Sequence, residues 1–170
     1  MFPIPIIVDN FKAHSLIKTK VLNLIEHTEF THLDSISEQI SKTDWDRKKK
    51  QKPYLEPVVP YILEEARRVF TRLNYVRFDL DQSWFQQYEH QDFHDWHRHP
   101  GTDWGFVYYI ELPEDGPGTQ FRNPLNKNET HTPIVKEGQF VMFPSFLEHR
   151  SAENQSKGRK TVIVTNFINL

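Results

Sequence analysis

The chain changes its period at Asn74, and no other feature limits its fold as tightly. Upstream, two segments carry apolar residues at the spacing of a helix. In residues 11–27 these are Leu16 or Ile17, Val21, Leu24 and Ile25, with Asp9 or Asn10 available as a cap. In residues 57–73 they are Ile62, Leu63, Ala66, Val69, Phe70 and Leu73, and Pro60 falls in the first turn, where its missing N–H does no harm. Downstream, short alternating runs replace the helical spacing, at 76–80, 83–88, 104–112, 119–122, 132–136, 139–143 and 160–168. Glu114-Asp115-Gly116-Pro117-Gly118 reads as a turn, and residues 123–129 and 153–158 as polar loops. At the start, Pro3 and Pro5 prohibit helix, so residues 1–9 read as an extended first strand. Residues 29–53 are polar and irregular. They carry Trp45 and the basic run Arg47-Lys48-Lys49-Lys50-Gln51-Lys52, which reads as a solvated loop because no aromatic or helical pattern organises it. Helices followed by many short strands predict a mainly β fold, a sandwich or barrel with an α-helical buttress on one side. A jelly roll fits best, because it makes the first and last core strands neighbours. The expected organisation is a single domain over 1–170. Residues 1–74 supply the N-terminal strand and supporting helices, and residues 75–170 the jelly-roll core.

Composition narrows the function. A formal net charge of -2 gives no electrostatic case for nucleic acid or membrane. The absence of cysteine excludes disulfides, thiolate ligands and a cysteine nucleophile. No apolar run approaches the roughly 20 residues of a membrane helix, and the start lacks the basic region of a signal peptide. The expected location is the cytoplasm. Aromatic residues make up 14% of the chain, which suits a β-rich core with aromatic walls.

The chemistry concentrates in Phe93-His94-Asp95-Trp96-His97-Arg98-His99-Pro100. His97 and His99 are two residues apart, and on a strand such residues share a face. Two imidazoles on one face are two thirds of a metal site, with His149 the candidate third ligand and His94 a further nitrogen in reach. Three neutral nitrogens with open coordination positions suit iron, zinc, copper or nickel. Arg159, ten residues after His149, opens an alternating strand, and a guanidinium there can grip a carboxylate that also reaches the metal. Lys160, next door, is expected on the opposite face. Tyr88, on the preceding strand, offers a hydroxyl to the same carboxylate. Trp84, Trp96, Trp104 and Tyr109 are candidates for a substrate pocket. His14, His27, His32, His90 and His131 show no partner pattern and read as surface residues.

These residues resemble the Fe(II)- and 2-oxoglutarate-dependent oxygenases with a double-stranded β-helix core, closest to the prolyl-hydroxylase-like branch and to versions carried by bacteriophages of marine cyanobacteria. That family has a Tyr on the first core strand, then H-x-D, a distal His, and an Arg or Lys shortly after. Tyr88, His97-Arg98-His99, His149 and Arg159 fall in that order here. Residues 108–112, followed by Gly116-Pro117-Gly118-Thr119-Gln120-Phe121, look like the family's strand and its glycine turn. The resemblance covers residues 75–170. It implies iron on His97, His99 and His149, and 2-oxoglutarate held by Arg159 and Tyr88. It also implies dioxygen as co-reactant, ascorbate as a stimulant, and hydroxylation of a peptidyl, prolyl or other substrate with release of succinate and CO2. A phage-encoded member would act in the host cytoplasm. One position departs from the pattern: His99 stands where the family has a carboxylate. Asp95 and Asp103 are the nearby carboxylates that could complete a triad instead. H-x-H also occurs in cupins, so a cupin-type three-His dioxygenase without 2-oxoglutarate is the alternative, and a non-catalytic jelly-roll binding protein a third reading.

Overall fold

A computed structural model describes residues 4–46 and 51–170. Arg47, Lys48, Lys49 and Lys50 of the basic run lie outside the described residues. The elements are β1 (Ile7–Asn10), α1 (His14–Glu26), β2 (Thr31–Asp34), β3 (Glu38–Thr43), α2 (Leu55–Arg72), β4 (Phe78–Tyr88), β5 (Phe93–His97), β6 (Trp104–Glu111), β7 (Thr119–Asn123), β8 (Asn126–His131), β9 (Gln139–Pro144), β10 (His149–Ser151) and β11 (Lys160–Asn169).

The strands form an eleven-stranded sheet in the order β1-β9-β6-β11-β4-β3-β5-β10-β7-β8, with β2 added to β3. The sheet curls until its ends meet. Phe143 of β9 and Phe121 of β7 lie far apart in the strand order, yet their rings are 4.8 Å apart. This is the jelly-roll, double-stranded β-helix architecture. The last strand, β11, pairs with β4 on one side and β6 on the other, which joins the first core strand to the last.

Strand alternation divides the core in two. On β6, Trp104, Phe106, Tyr108 and Ile110 face outward and pack with Ile17, Val21 and Ile25 of α1 and with Val58, Ile62, Ala66, Val69 and Phe70 of α2. Val107 and Tyr109 face the concave side, where they meet Trp84, Tyr88, Phe121, Val141, Phe143, Leu147, Val162 and Val164. Both faces of the central strands are therefore apolar. Among the described residues, no helix is long and apolar enough to cross a membrane.

The structure departs from the expected secondary structure in several places. Within the stretch read as irregular, residues 31–43 are ordered: β2 and β3 form a hairpin, and β3 bridges β4 and β5. These strands are mostly polar and hid from the pattern: Ile40 joins the core, while Leu33 and Glu38 line the cavity. The runs 76–80 and 83–88 are one strand, β4. Residues 126–131 form β8, an exposed edge strand, whereas 132–136 is not a strand. α2 begins at Leu55, so Pro60 lies in its second turn. The residue preceding α1 is Ala13, not Asp9 or Asn10, and it makes no side-chain cap.

The segment after β3 is pinned by a buried carboxylate. Asp44 accepts hydrogen bonds from Tyr54 Oη (2.9 Å) and the Phe85 amide (2.9 Å), and lies 3.2 Å from Lys52 Nζ. Desolvation raises the Asp44 carboxyl, against the opposing pull of Lys52. The anchor holds the neighbouring Trp45 at the mouth of the cavity.

Candidate metal centre

His97 ends β5 and His149 begins β10, and the two are direct antiparallel partners. His99 follows on the chain leaving β5, where its amide donates to the Ser145 carbonyl (3.2 Å) and Thr102 Oγ1 donates to its carbonyl (3.1 Å). The three side chains converge, with candidate ligand atoms all within 4.8 Å of one another.

In each ring, Nδ1 faces a carbonyl oxygen. His97 Nδ1 is 2.7 Å from the Asp95 carbonyl, His149 Nδ1 is 2.9 Å from the Leu147 carbonyl, and His99 Nδ1 is 2.7 Å from Asn166 Oδ1. A backbone carbonyl can only accept. His97 and His149 must therefore carry their proton on Nδ1, which leaves the Nε2 lone pair for a cation. Burial lowers all three imidazoles from the ordinary histidine value. His99 falls to about 4, and His149 falls well below that ordinary value, with its histidine neighbours adding to the effect. Neutral rings with oriented lone pairs are the form a divalent metal requires. The donor set fits a borderline metal such as iron or zinc.

Neither alternative carboxylate joins the cluster. Asp95 is exposed on β5 and approaches His97 only through its backbone. Asp103 Oδ2 accepts from the Asn169 amide at 2.7 Å, at the far end of β11. His94 stacks on His97 (centroids 3.7 Å, planes 11° apart), with its Nε2 3.4 Å from Glu38 Oε2. It lies beside the three-histidine cluster, and burial lowers it to about 3.

The histidines open onto a cavity of about 420 Å³ on the concave side. Trp84 and Tyr88 line it, as expected. Tyr88 donates from Oη to Gln86 Oε1 (2.9 Å), and burial raises its phenol far above the usual value. Two other residues proposed for the pocket lie elsewhere. Trp96 alternates away from His97 to the outer side of β5, where the guanidinium carbons of Arg122 and Arg150 sit 4.0 and 4.6 Å from its ring. Trp104 packs outward against Phe70 (5.8 Å). Tyr109 is on the concave side but fully buried beneath the cavity, its Oη 2.7 Å from Thr119 Oγ1, and burial pushes its phenol up to about 12.

The expected positions of Arg159 and Lys160 are exchanged. Arg159 points away from the cavity and pairs with Glu111 (Nε to Oε2, 3.0 Å) and with Glu26 (2.7 Å). Lys160 shares the concave face with Val162, Val164 and Asn166 and lines the cavity. It is 1% exposed, and its Nζ donates to the Pro117 carbonyl (2.8 Å) and Ser151 Oγ (2.9 Å). Both partners are neutral, and among the described residues no carboxylate pairs with it. Its amine lies 5.1 Å over the Tyr88 ring, and desolvation lowers it to about 7. His14, expected at the surface, is half-buried, with Nδ1 2.7 Å from Tyr108 Oη.

Glu38, Trp45, Thr119 and Asn166 also line the cavity, and the sequence reading singled out none of them for it. Asn166 alone had a signal, being an amide in a run, Thr161 to Ile168, whose other residues are apolar or hydroxyl-bearing.

No protein-family model matches the chain, and no curated protein matches it in sequence. Solved structures do match in fold. The viral collagen prolyl hydroxylase of Paramecium Bursaria Chlorella virus-1, solved with 2-oxoglutarate, is 14% identical with a TM-score of 0.68, over 97% of this chain and 96% of its own. A Pseudomonas putida prolyl-4-hydroxylase is 12% identical with a TM-score of 0.71, over 99% and 94%. An oxidoreductase of the 2OG-Fe(II) oxygenase family from Burkholderia pseudomallei is 14% identical with a TM-score of 0.68, over 92% and 79%. At these identities the likeness is one of fold.

Proposed function

We propose that the protein is an iron- and 2-oxoglutarate-dependent dioxygenase that hydroxylates a substrate entering the cavity. One observation carries the reading: a buried, unpaired lysine and a convergent three-histidine cluster share one cavity. A buried ammonium without a carboxylate is costly unless a ligand supplies the anion. Lys160 Nζ touches Ser151, which lies two residues along β10 from His149. Two residues of strand span roughly 7 Å, a length an extended five-carbon diacid covers.

In this reading His97, His99 and His149 hold the metal through Nε2, with each ring's Nδ1 held by a carbonyl oxygen. The ammonium of Lys160 holds the far carboxylate of 2-oxoglutarate, in the role the sequence reading assigned to Arg159. Tyr88 and Thr119 flank that end, and Trp84 walls the metal end. Iron and 2-oxoglutarate, when bound, would supply the oxidising chemistry, with 2-oxoglutarate converted to succinate and CO2. The protein's part is to orient the ligands, exclude water with aromatic walls and neutralise the diacid. The solved structures of similar fold support the reading, since they include prolyl hydroxylases, one of them solved with 2-oxoglutarate.

The all-imidazole cluster is the one observation favouring a cupin-type dioxygenase without 2-oxoglutarate, and Lys160 argues against it. Anaerobic titration of the iron-loaded protein with 2-oxoglutarate decides between them. A metal-to-cosubstrate charge-transfer band, followed by succinate formation in air with ascorbate, is the expected result. Metal binding with neither band nor succinate would favour the cupin-type reading.

A further inference from the structure

The third imidazole has a partner unlike the other two. His97 and His149 are each held by the backbone carbonyl two residues before them, whereas His99 is held by a side chain 67 residues away, Asn166. Asn166 is 6% exposed and sits on the concave face of β11. The β11–β4 register shifts between Asn166 and Phe167, and such irregularities re-aim side chains beside functional sites. An amide is also poorly suited to the middle of a buried strand unless it has a partner.

We propose that Asn166 is the positioning residue that makes His99 a metal ligand, so that the His99–Asn166 pair takes the place of a carboxylate in the triad. This rests on the reading above, that the three histidines hold a divalent metal. The amide can meet His99 in two ways. With Oδ1 toward the ring it accepts from Nδ1–H and leaves Nε2 free to bind. With Nδ2 toward the ring it donates to Nδ1 and places the proton on Nε2, which blocks the metal. Ligation selects the first arrangement, and a carbonyl acceptor behind the ring also makes it a better donor. The outer partners of all three histidines are then uncharged carbonyl oxygens. Nothing in this shell offsets the charge of a divalent ion, as a carboxylate ligand would.

The test is a double-mutant cycle on metal affinity in the full-length protein without 2-oxoglutarate. Cobalt(II) serves as the probe, competed against a chelator and followed by its visible spectrum. Asn166→Ala should weaken cobalt affinity by about 10- to 100-fold, and Asn166→Asp, which keeps the acceptor, should restore it. In a His99→Asp background, which removes the ring, Asn166→Ala should change affinity less than about three-fold, since no Nδ1–H remains to be held. Equal losses in both backgrounds would overturn the proposal, because Asn166 would then only support the fold. Unchanged affinity in Asn166→Ala, with normal binding by the wild type, would overturn the pair alone. A wild type that binds no cobalt, iron or zinc would overturn the proposed function together with the pair. Thermal melts of each metal-free variant, with Asn166→Asp as the second substitution, separate lost folding from lost ligation.

Discussion

Lys160→Met removes the buried ammonium while keeping a side chain of similar length, and it tests the cosubstrate end of the cavity. Desolvation lowers the amine from 10.5 to about 7. At about 1.4 kcal/mol per pH unit, that difference is at most about 5 kcal/mol against the charged form. The unfolded chain keeps this proton up to pH 10.5 and the folded protein only to about pH 7. The penalty is therefore full below pH 7, and stability rises between pH 7 and 10.5. A bound carboxylate relieves the penalty and adds a charge-assisted hydrogen bond worth about 1.5–3 kcal/mol. Lys160→Met should then weaken 2-oxoglutarate binding roughly 10- to 150-fold, leave metal affinity unchanged, and at pH 7 or below raise Tm instead of lowering it. In the wild type the diacid needs a protonated amine, so its affinity should fall as pH climbs above 7, by up to about ten-fold per pH unit. The variant should lose that slope. Anaerobic calorimetry of 2-oxoglutarate into iron-loaded protein from pH 6 to 9 reads all of this. Unchanged affinity in Lys160→Met, or a wild-type affinity that does not fall above pH 7, would refute the assignment.

Four further outcomes follow. Arg159→Ala should leave 2-oxoglutarate binding within about two-fold and cost at most about 1 kcal/mol, since it loses only the half-exposed pairs with Glu111 and Glu26; calorimetry and melts check this. Metal-free protein should lose stability as pH falls below 6.5 toward about 4 and 3, because His99 and His94 take up protons in the unfolded chain first; acid titration followed by circular dichroism, with metal-loaded protein as reference, reads it. Gly105→Ala should cost about 1–3 kcal/mol, because its Cβ would lie 2.8 Å from the Phe143 ring, which in turn packs 4.6 Å from His149; a denaturant midpoint measures the loss. Zinc should stabilise the protein by about 2.7 kcal/mol at a hundred times Kd, read as a Tm that climbs with zinc concentration, and His149→Ala should abolish most of the gain.

The fold was legible where one periodicity dominated. The helical stripes Ile17-Val21-Ile25 and Ile62-Ala66-Val69-Phe70 predicted α1 and α2, and all these residues are buried in the outward core. The apolar runs of β6, β9 and β11 gave the central strands to within a residue or two. The hairpin of β2 and β3 was not legible. Its side chains are mostly polar and half exposed, with only Ile40 and Thr43 buried, so no apolar alternation marks it. β8 is exposed along its whole length and leaves no hydrophobic trace either.

The histidine cluster was legible in the sequence, whereas the face of β11 that lines the cavity was misread, for one physical reason. Near the metal, histidines at spacing two are conspicuous wherever the strand falls. At the other end of the cavity, everything depended on which face of β11 is concave. A one-residue error there exchanges every side chain between the two faces. The usual guide, an apolar face alternating with a polar one, fails because β11 is buried on both faces: Ile163 and Phe167 meet the helices, while Val162 and Val164 meet the cavity side. The register supplies what alternation cannot. Lys160 is the direct partner of Tyr88 and Val164 the partner of Trp84, and cross-strand partners share a face. Tyr88 and Trp84 line the cavity, so Lys160 must line it too, and Arg159, one residue before, must turn outward. There it finds Glu111 and Glu26, while Lys160 finds only a carbonyl and a hydroxyl. A cation already paired with two carboxylates gains little from a ligand, and a buried cation paired with none gains most.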